Sequence, residues 1–528
     1  MSGRTILTNC ENDTISNSGS EVGQHATLAY NNPWGVMGSS QPIPLRTGAL
    51  EHMQGSVSEP RNYAPVTFGR SVMAKPPPRF ALSSDHRTPP QTGAQSYFSS
   101  GHSTPQRGAV FPADQALASS VIRQIWNNGI PHSTLLTDLT ATPSGLPSFE
   151  TAMSPQFYPF VEGGKLAKPL NNGVVKLQNI PFAAQRSEVI AFLGRNSRIL
   201  NDFDEPVHII MDRVTSKTMD VYVEFQTLED AMKAVEKHNT VYMTQGRAPR
   251  IGDRQVSIEL SGQASLMKDL FPHAFGIVWD GVKPEFKPVN EDEPWENFKG
   301  FVSEEEMIML VKHVEVPHRS PYSRDCPQRP YECLISTIKK LPWAYTNRIT
   351  MSQRRAVYKT TCELLRLLHV SILRRQDLSN LNNQLYQRIV NAAMKCPGFT
   401  TLMKDDIACI AGLSTEESLG FGQPYFADSW RHQYSLVPKP GFPLDVVEWY
   451  IGVIREQSTR DLLNRSMQER NIIQEQAGDT TQHWGLFWHE TRYIETLGRA
   501  FDQLKLSECA QIEFTSVERI LHRALSHL

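Results

Sequence analysis

A switch from strand to helix periodicity at residues 217–239 constrains the fold of this chain more than any other feature. Every second residue of 219–225 is apolar, which predicts a strand with one buried face. Thr227 follows, and Asp230 stands three positions later, a spacing typical of a helix N-cap. Because apolar residues then recur with helical spacing, we predict a strand that leads directly into a helix.

Three further strands and one further helix are predicted around this pair. The strands lie at 174–182, 207–211 and 255–260, and the helix at 186–194 ends at Gly194. The resulting order is βαββαβ. It predicts an α+β domain over 171–262, with four antiparallel strands backed by two helices in a ferredoxin-like arrangement.

Two strand motifs in this order, VKLQNI (175–180) and TMDVYVEF (218–225), resemble the RNA recognition motif (RRM) family. In that family, bases stack on aromatic side chains at three positions of the central strands. These positions hold Lys176, Asp220 and Tyr222 here, so only Tyr222 is aromatic. We expect Lys176 and Asp220 to form an ion pair across the two strands, which would block stacking at the centre of the sheet.

This departure resembles the quasi-RRMs of heterogeneous nuclear ribonucleoproteins F and H, which replace the sheet aromatics and bind single-stranded RNA with loops. The resemblance implies contacts at Gln178, Phe182, Arg254 and Gln255. Phe182 and Arg254 fit the pattern, whereas Arg is usual at the place of Gln178 and Tyr at the place of Gln255. The resemblance covers about 90 residues, and a preference for G-tracts does not follow from it.

Basic residues are grouped near the loops, although the domain as a whole is not basic. Residues 171–262 hold 11 Lys+Arg and 12 Asp+Glu. Arginine planes and aromatic rings near a loop can stack bases while the charges meet phosphates; the alternative is a solvated basic loop beside a structural tyrosine. The residues predicted to contact RNA are Lys176, Gln178, Phe182, Arg213, Lys217, Tyr222, Tyr242, Arg247, Arg250 and Arg254.

Residues 1–165 are rich in Ser, Pro, Gly, Asn, Gln and Thr and show no sustained period. We expect them to be disordered, because such a segment buries too little apolar surface to offset its chain entropy. One island at 114–129 has a helical apolar face, and it either docks into a partner or folds back on this chain. Thr88, Thr104 and two further Ser/Thr-Pro steps are candidate phosphorylation sites.

The sequence pattern after residue 262 predicts a connector followed by a helical domain. Residues 263–300 are expected to be irregular, partly apolar and packed on a neighbouring element, and 301–528 to form a separate all-α domain. Ser303 with Glu306 and Thr515 with Glu518 have the spacing of helix capping boxes, and 444–475 has the pattern of one long amphipathic helix.

The composition points to a non-enzymatic binding protein. No phosphate-binding loop, paired-carboxylate or zinc-ligand motif stands in a convincing context, so we expect no catalytic residue, metal or cofactor. The formal charge of −2 requires that any RNA site be local, and seven cysteines without a CxxC pair are typical of a reduced, intracellular protein. No signal peptide or membrane span is predicted.

These expectations define two hypotheses. The first is a nuclear or cytoplasmic protein that binds single-stranded RNA, in particular mRNA, through one RRM and acts in mRNA processing or post-transcriptional regulation. Protein partners would bind its N-terminal region and its helical domain. The second is a protein–protein interaction scaffold whose degenerate RRM no longer binds RNA.

Overall fold

Strands and helices are interspersed as far as residue 286, and helices dominate in the described residues that follow. The computed structural model describes residues 113–246, 248–477, 483–491 and 500–526, which belong to one contiguous unit. None of the helices in these ranges is both long and apolar enough to cross a membrane.

The strands, numbered along the chain, are β1 (Phe160–Glu162), β2 (Gly173–Gln178), β3 (Val207–Met211), β4 (Thr218–Phe225), β5 (Arg250–Ile251), β6 (Arg254–Gln255), β7 (Ser257–Ser261), β8 (Ile277–Asp280), β9 (Lys283–Phe286) and β10 (Leu436–Pro438). The helices are α1 (Ala113–Asn127), α2 (Thr134–Leu139), α3 (Phe149–Ala152), α4 (Arg186–Leu193), α5 (Leu228–Gln245), α6 (Gln263–Leu270), α7 (Glu304–Glu315), α8 (Pro321–Asp325), α9 (Arg329–Lys340), α10 (Met351–Leu373), α11 (Asn383–Met394), α12 (Thr401–Ala411), α13 (Thr415–Gly420), α14 (Leu444–Leu463), α15 (Met467–Ala477), α16 (Phe487–Thr491) and α17 (Leu506–Leu525).

A four-stranded antiparallel sheet forms in the order β3-β4-β2-β7, and its strands and helices follow the predicted βαββαβ sequence. The Thr227 hydroxyl accepts a hydrogen bond from the Asp230 backbone N–H, which begins α5 at the predicted N-cap. Val221, Val223 and Phe225 of β4 are fully buried against α4 and α5. One face of the sheet therefore forms an apolar core with these two helices.

The opposite face of the sheet is also covered, by α6 and α9. Tyr222 and His208 lie on this face, and both have 0% exposure. The expectation of an irregular connector at 263–300 is wrong, because this stretch contains α6 and the β8–β9 hairpin. Placing α6 on the sheet buries Leu266 and Met267, which gives this short helix a packing partner.

The N-terminal expectation needs a correction for residues 113–165. Leu117, Val121 and Ile125 of α1 are buried in one core with α14, and Val121 packs where Gly452 has no side chain. A marginal helix is stabilised once its apolar face finds a partner, so the island folds back on the chain. Residues 1–112, with Thr88 and Thr104, lie outside the described residues.

The expectation of a separate all-α domain over 301–528 is wrong, because β10 in this range pairs with β1 and α9 packs on the four-stranded sheet. Of the three predictions for its helices, two also fail. Ser303 and Glu306 form the predicted capping box at α7. The predicted helix 444–475 is two helices, because Ser466 caps a new one by accepting from the Glu469 backbone N–H. Thr515 lies in the middle of α17 instead of capping it, since the helix already begins at Leu506.

Candidate nucleic-acid interface

The centre of the sheet is closed by ion pairs and by α6. Lys176 of β2 pairs with Asp220 of β4 at 3.0 Å, as predicted, and also with Asp269 of α6 at 3.3 Å. The Tyr222 hydroxyl donates a 2.5 Å hydrogen bond to the same Asp269 carboxylate, and burial together with this bond raises the pKa of Tyr222. These contacts argue against the predictions that Lys176 and Tyr222 contact RNA, because α6 lies over the part of the sheet where a base would stack.

A buried polar network beside Tyr222 holds α9 against the sheet. Glu224 of β4 bonds to His208 at 3.0 Å and to the Lys340 ammonium at 2.6 Å, and the other nitrogen of His208 lies 3.0 Å from Ser336. Burial lowers the pKa of His208, whereas Lys340 and His208 together outweigh the effect of burial and hold the pKa of Glu224 below its usual range. Because nearly every polar atom here has a partner within the chain, this surface is an internal interface.

Arg213 belongs to the same internal interface. Its side chain is 2% exposed, and the guanidinium donates to the Glu306 carboxylate at 3.1 Å, the Leu270 carbonyl at 2.8 Å and the Thr337 hydroxyl at 3.0 Å. Burial argues against the prediction that Arg213 meets an RNA phosphate, because two of its nitrogens join the sheet to α6, α7 and α9 and the third, Nε, is also buried.

Phe182 and Arg254 meet on the exposed loop end of the sheet. The Arg254 guanidinium lies 4.9 Å from the centre of the Phe182 ring, and it donates to the Ile180 carbonyl at 3.2 Å. The Phe182 ring also meets the ring of Tyr322 from α8 edge-on, with 5.2 Å between centroids. The result is a group of one arginine and two aromatic rings in contact, in which Arg254 is exposed and both rings are half-buried.

A buried arginine of α9 holds the backbone of the loop that carries Phe182. Arg329 of α9 donates to the carbonyl oxygens of Phe182 at 3.2 Å and Ala184 at 2.6 Å, and the Cys326 thiol donates to the Phe182 carbonyl at 3.1 Å. Each carbonyl that accepts from a charged donor gains a comparatively strong bond. The position of the Phe182 ring is therefore set by the helical region.

The turn between β3 and β4 brings Lys217 to the same end of the sheet. Ser216, in a left-handed conformation with φ 62°, bonds through its hydroxyl to Ser320 and Ser323, both at 2.7 Å. These two serines flank Tyr322 in sequence, so Lys217 lies beside the segment that carries the exposed Arg319. We call the group formed by these side chains the loop-end surface: Phe182, Lys217, Arg250, Arg254, Arg319 and Tyr322.

Arg250 of the loop-end surface is exposed on the β5–β6 hairpin, directly across from Gln255. The remaining predicted residues lie elsewhere. Gln178 donates to Glu259 at 2.7 Å on the neighbouring strand, and Tyr242 is 45% exposed on the last turn of α5. Arg247 lies outside the described residues.

Sequence reasoning missed Arg319 and Tyr322. They belong to PHRSPYSRD (317–325), a basic stretch with an aromatic residue, which is a recognisable signal for nucleic-acid contact. The stretch lies about 140 residues after Phe182, so only the fold places it beside the loops.

Two family models match the chain, and each is described as a domain of unknown function. One (DUF8400) matches residues 171–281, and the other (DUF8399) matches residues 298–413. Each covers less than a quarter of the chain. The first continues past residue 262 to include α6, which agrees with the packing of that helix on the sheet. No curated protein and no solved structure matches the chain.

Proposed function

We propose that this protein is a non-enzymatic RNA-binding protein whose sheet unit is an RRM of the quasi type. Single-stranded RNA, in particular mRNA, binds across the loop-end surface and leaves the closed sheet face untouched. The observation that carries the proposal is the contact group of Arg254, Phe182 and Tyr322 with Lys217 and Arg319 beside it. The process we propose is mRNA processing or post-transcriptional regulation, in the nucleus or the cytoplasm.

The chemistry of this surface suits a single strand. A base stacks on the outer plane of the Arg254 guanidinium, which the Phe182 ring supports from behind. Lys217 and Arg319 meet the phosphates on either side of that base. Single-stranded RNA offers both an unstacked base and a flexible backbone, whereas a duplex keeps its bases inside the helix.

The test is RNA binding by the full chain, measured by fluorescence anisotropy with a randomised single-stranded pool at several salt concentrations. Arg254→Ala should cost roughly 1–3 kcal/mol, because the base loses the plane on which it stacks. Phe182→Ala and Tyr322→Ala remove the rings that support this guanidinium and should also weaken binding, with little change in the salt slope. Lys217→Ala with Arg319→Ala should instead lower the slope by about 0.7 for each lost phosphate contact. Lys233→Ala, an exposed lysine on α5 that pairs with Glu229, is the matched control and should be silent.

A second candidate function rests on a specific observation, the closure of the sheet face by α6 and α9. A sheet whose face packs against helices of its own chain is suited to a scaffold protein. Partner proteins would then bind residues 1–112 and the helical region. If the full chain shows no affinity for any single-stranded pool at low salt, this scaffold function replaces the RNA-binding proposal. If the full chain does bind RNA but Phe182→Ala and Tyr322→Ala leave its affinity unchanged, the RNA binds at another surface.

A further inference from the structure

A cavity of about 510 Å³ opens beside the C-terminal end of α9, away from the loop-end surface residues. It lies between the sheet unit, the segment before β2 and the helical region. Its volume falls within the range of about 300–1,000 Å³ that is typical of small-molecule sites. Much of its wall is apolar, and this part includes Leu166, Leu170, Val282, Ile338 and Phe421.

Lysines outnumber carboxylates around this cavity. The lysines are Lys168, Lys339, Lys340, Lys395 and Lys404, and the carboxylates are Asp204 and Glu224. One of the two carboxylates is already used, because Glu224 pairs with Lys340 at 2.6 Å. We call the cavity the lysine pocket, since it combines an apolar wall with an excess of positive charge.

Lys404 of α12 is the most informative of these lysines. Its side chain is half-buried and lines the cavity, and no carboxylate in the described part of the chain forms an ion pair with its ammonium. Burial lowers the pKa of Lys404, and the one side chain that opposes this effect is the Cys396 thiol. A half-buried ammonium without a carboxylate partner leaves a positive charge at the wall of the cavity that the fold itself does not neutralise.

Lys339 of α9 also lines the cavity and has a pKa lowered by burial. Asp204, Glu205 and Glu224 oppose this effect of burial on the pKa. The Lys339 ammonium donates to the Phe203 carbonyl at 3.2 Å and forms no ion pair with a carboxylate in the described residues. Lys404 and Lys339 thus place two ammonium groups at a cavity that also has an apolar wall. Such a combination is complementary to a molecule that carries one negative group and an apolar body.

We propose that the lysine pocket binds a small amphipathic organic anion, with the anionic group at Lys404 and the apolar body against the aliphatic wall. This function goes beyond RNA binding and does not depend on it. A bound anion would supply the counter-charge that Lys404 lacks, while the apolar body would remove Leu166 and Leu170 from water.

The experiment uses the full chain and decanoate as the probe, with decanol as its neutral match, followed by isothermal titration calorimetry. Decanoate should bind at one site and more tightly than decanol. Lys404→Met keeps the aliphatic stem but removes the charge, and it should weaken decanoate about 10- to 100-fold, the effect of one charged hydrogen bond. Lys404→Arg should restore most of the affinity, and Lys233→Met should change nothing.

The unmodified protein provides a second measurement that does not require a folded variant. Decanoate affinity should fall as the pH rises through the lowered pKa of Lys404, whereas decanol affinity should stay constant. Equal binding of decanoate and decanol, tighter binding of a nucleoside monophosphate than of decanoate, or an unchanged decanoate affinity in Lys404→Met would each overturn the proposal.

Discussion

Replacing Arg213 tests whether the sheet face is closed by the chain's own helices. The structure places its guanidinium in an internal interface, where it neutralises Glu306 and makes two further hydrogen bonds. Arg213→Met keeps the apolar stem but leaves Glu306, which is 4% exposed, without its counter-charge. Breaking a buried ion pair in this way typically costs about 3–5 kcal/mol of the free energy of unfolding.

The assay is urea denaturation of the full chain, followed by tryptophan fluorescence and far-UV circular dichroism. Lys217→Met, an exposed residue in the same turn, is the matched control and should stay within about 0.5 kcal/mol of the parent. Glu306→Gln keeps an acceptor for the cap of α7 and removes the charge. Combined with Arg213→Met, it should cost less than the sum of the two single changes, because the lost interaction is shared.

A cost for Arg213→Met no larger than that of Lys217→Met would refute this reasoning. It would mean that the guanidinium is solvated in solution and that the sheet face is open. In that case the original expectation, in which Arg213 contacts RNA, would regain its place.

Two further predictions concern the helical region. Burial, with repulsion from Asp428, raises the pKa of Asp405 from 3.8 to about 6, so the stability associated with this group is lost as the pH rises through that interval. Asp405→Asn should therefore raise the free energy of unfolding at pH 7 by on the order of 1 kcal/mol after solvent screening. This gain should vanish when the pH falls below the ordinary pKa of an aspartate. A gain that is equal at all pH values would contradict the prediction. A Cβ on Gly398 would lie 2.0 Å from the Trp343 ring, so Gly398→Ala should lower the thermal midpoint more than Gly412→Ala, where φ is 67° but the space is open. The reverse ranking would show that backbone conformation, and not the close approach, governs these sites.

The sequence determined the elements whose signals are local. The alternation at 219–225 and the cap at Thr227 involve residues only a few positions apart, so the βαββαβ order and the start of α5 followed from short-range physics. The same holds for the Lys176–Asp220 pair, because the predicted strand order already placed these residues on adjacent strands.

Tertiary structure alone decided which predicted contacts remain open. Arg213 and Tyr222 look like RNA contacts in sequence, yet Glu306 and Asp269 bury them from positions 93 and 47 residues away. Conversely, Phe182 gains Tyr322 as a neighbour, and α1 becomes a stable helix on α14, only because distant segments meet. Periodicity in the sequence shows which face of a helix or strand is apolar. It does not show which distant element covers that face. Here those distant contacts cover the sheet face and leave the loop-end surface exposed.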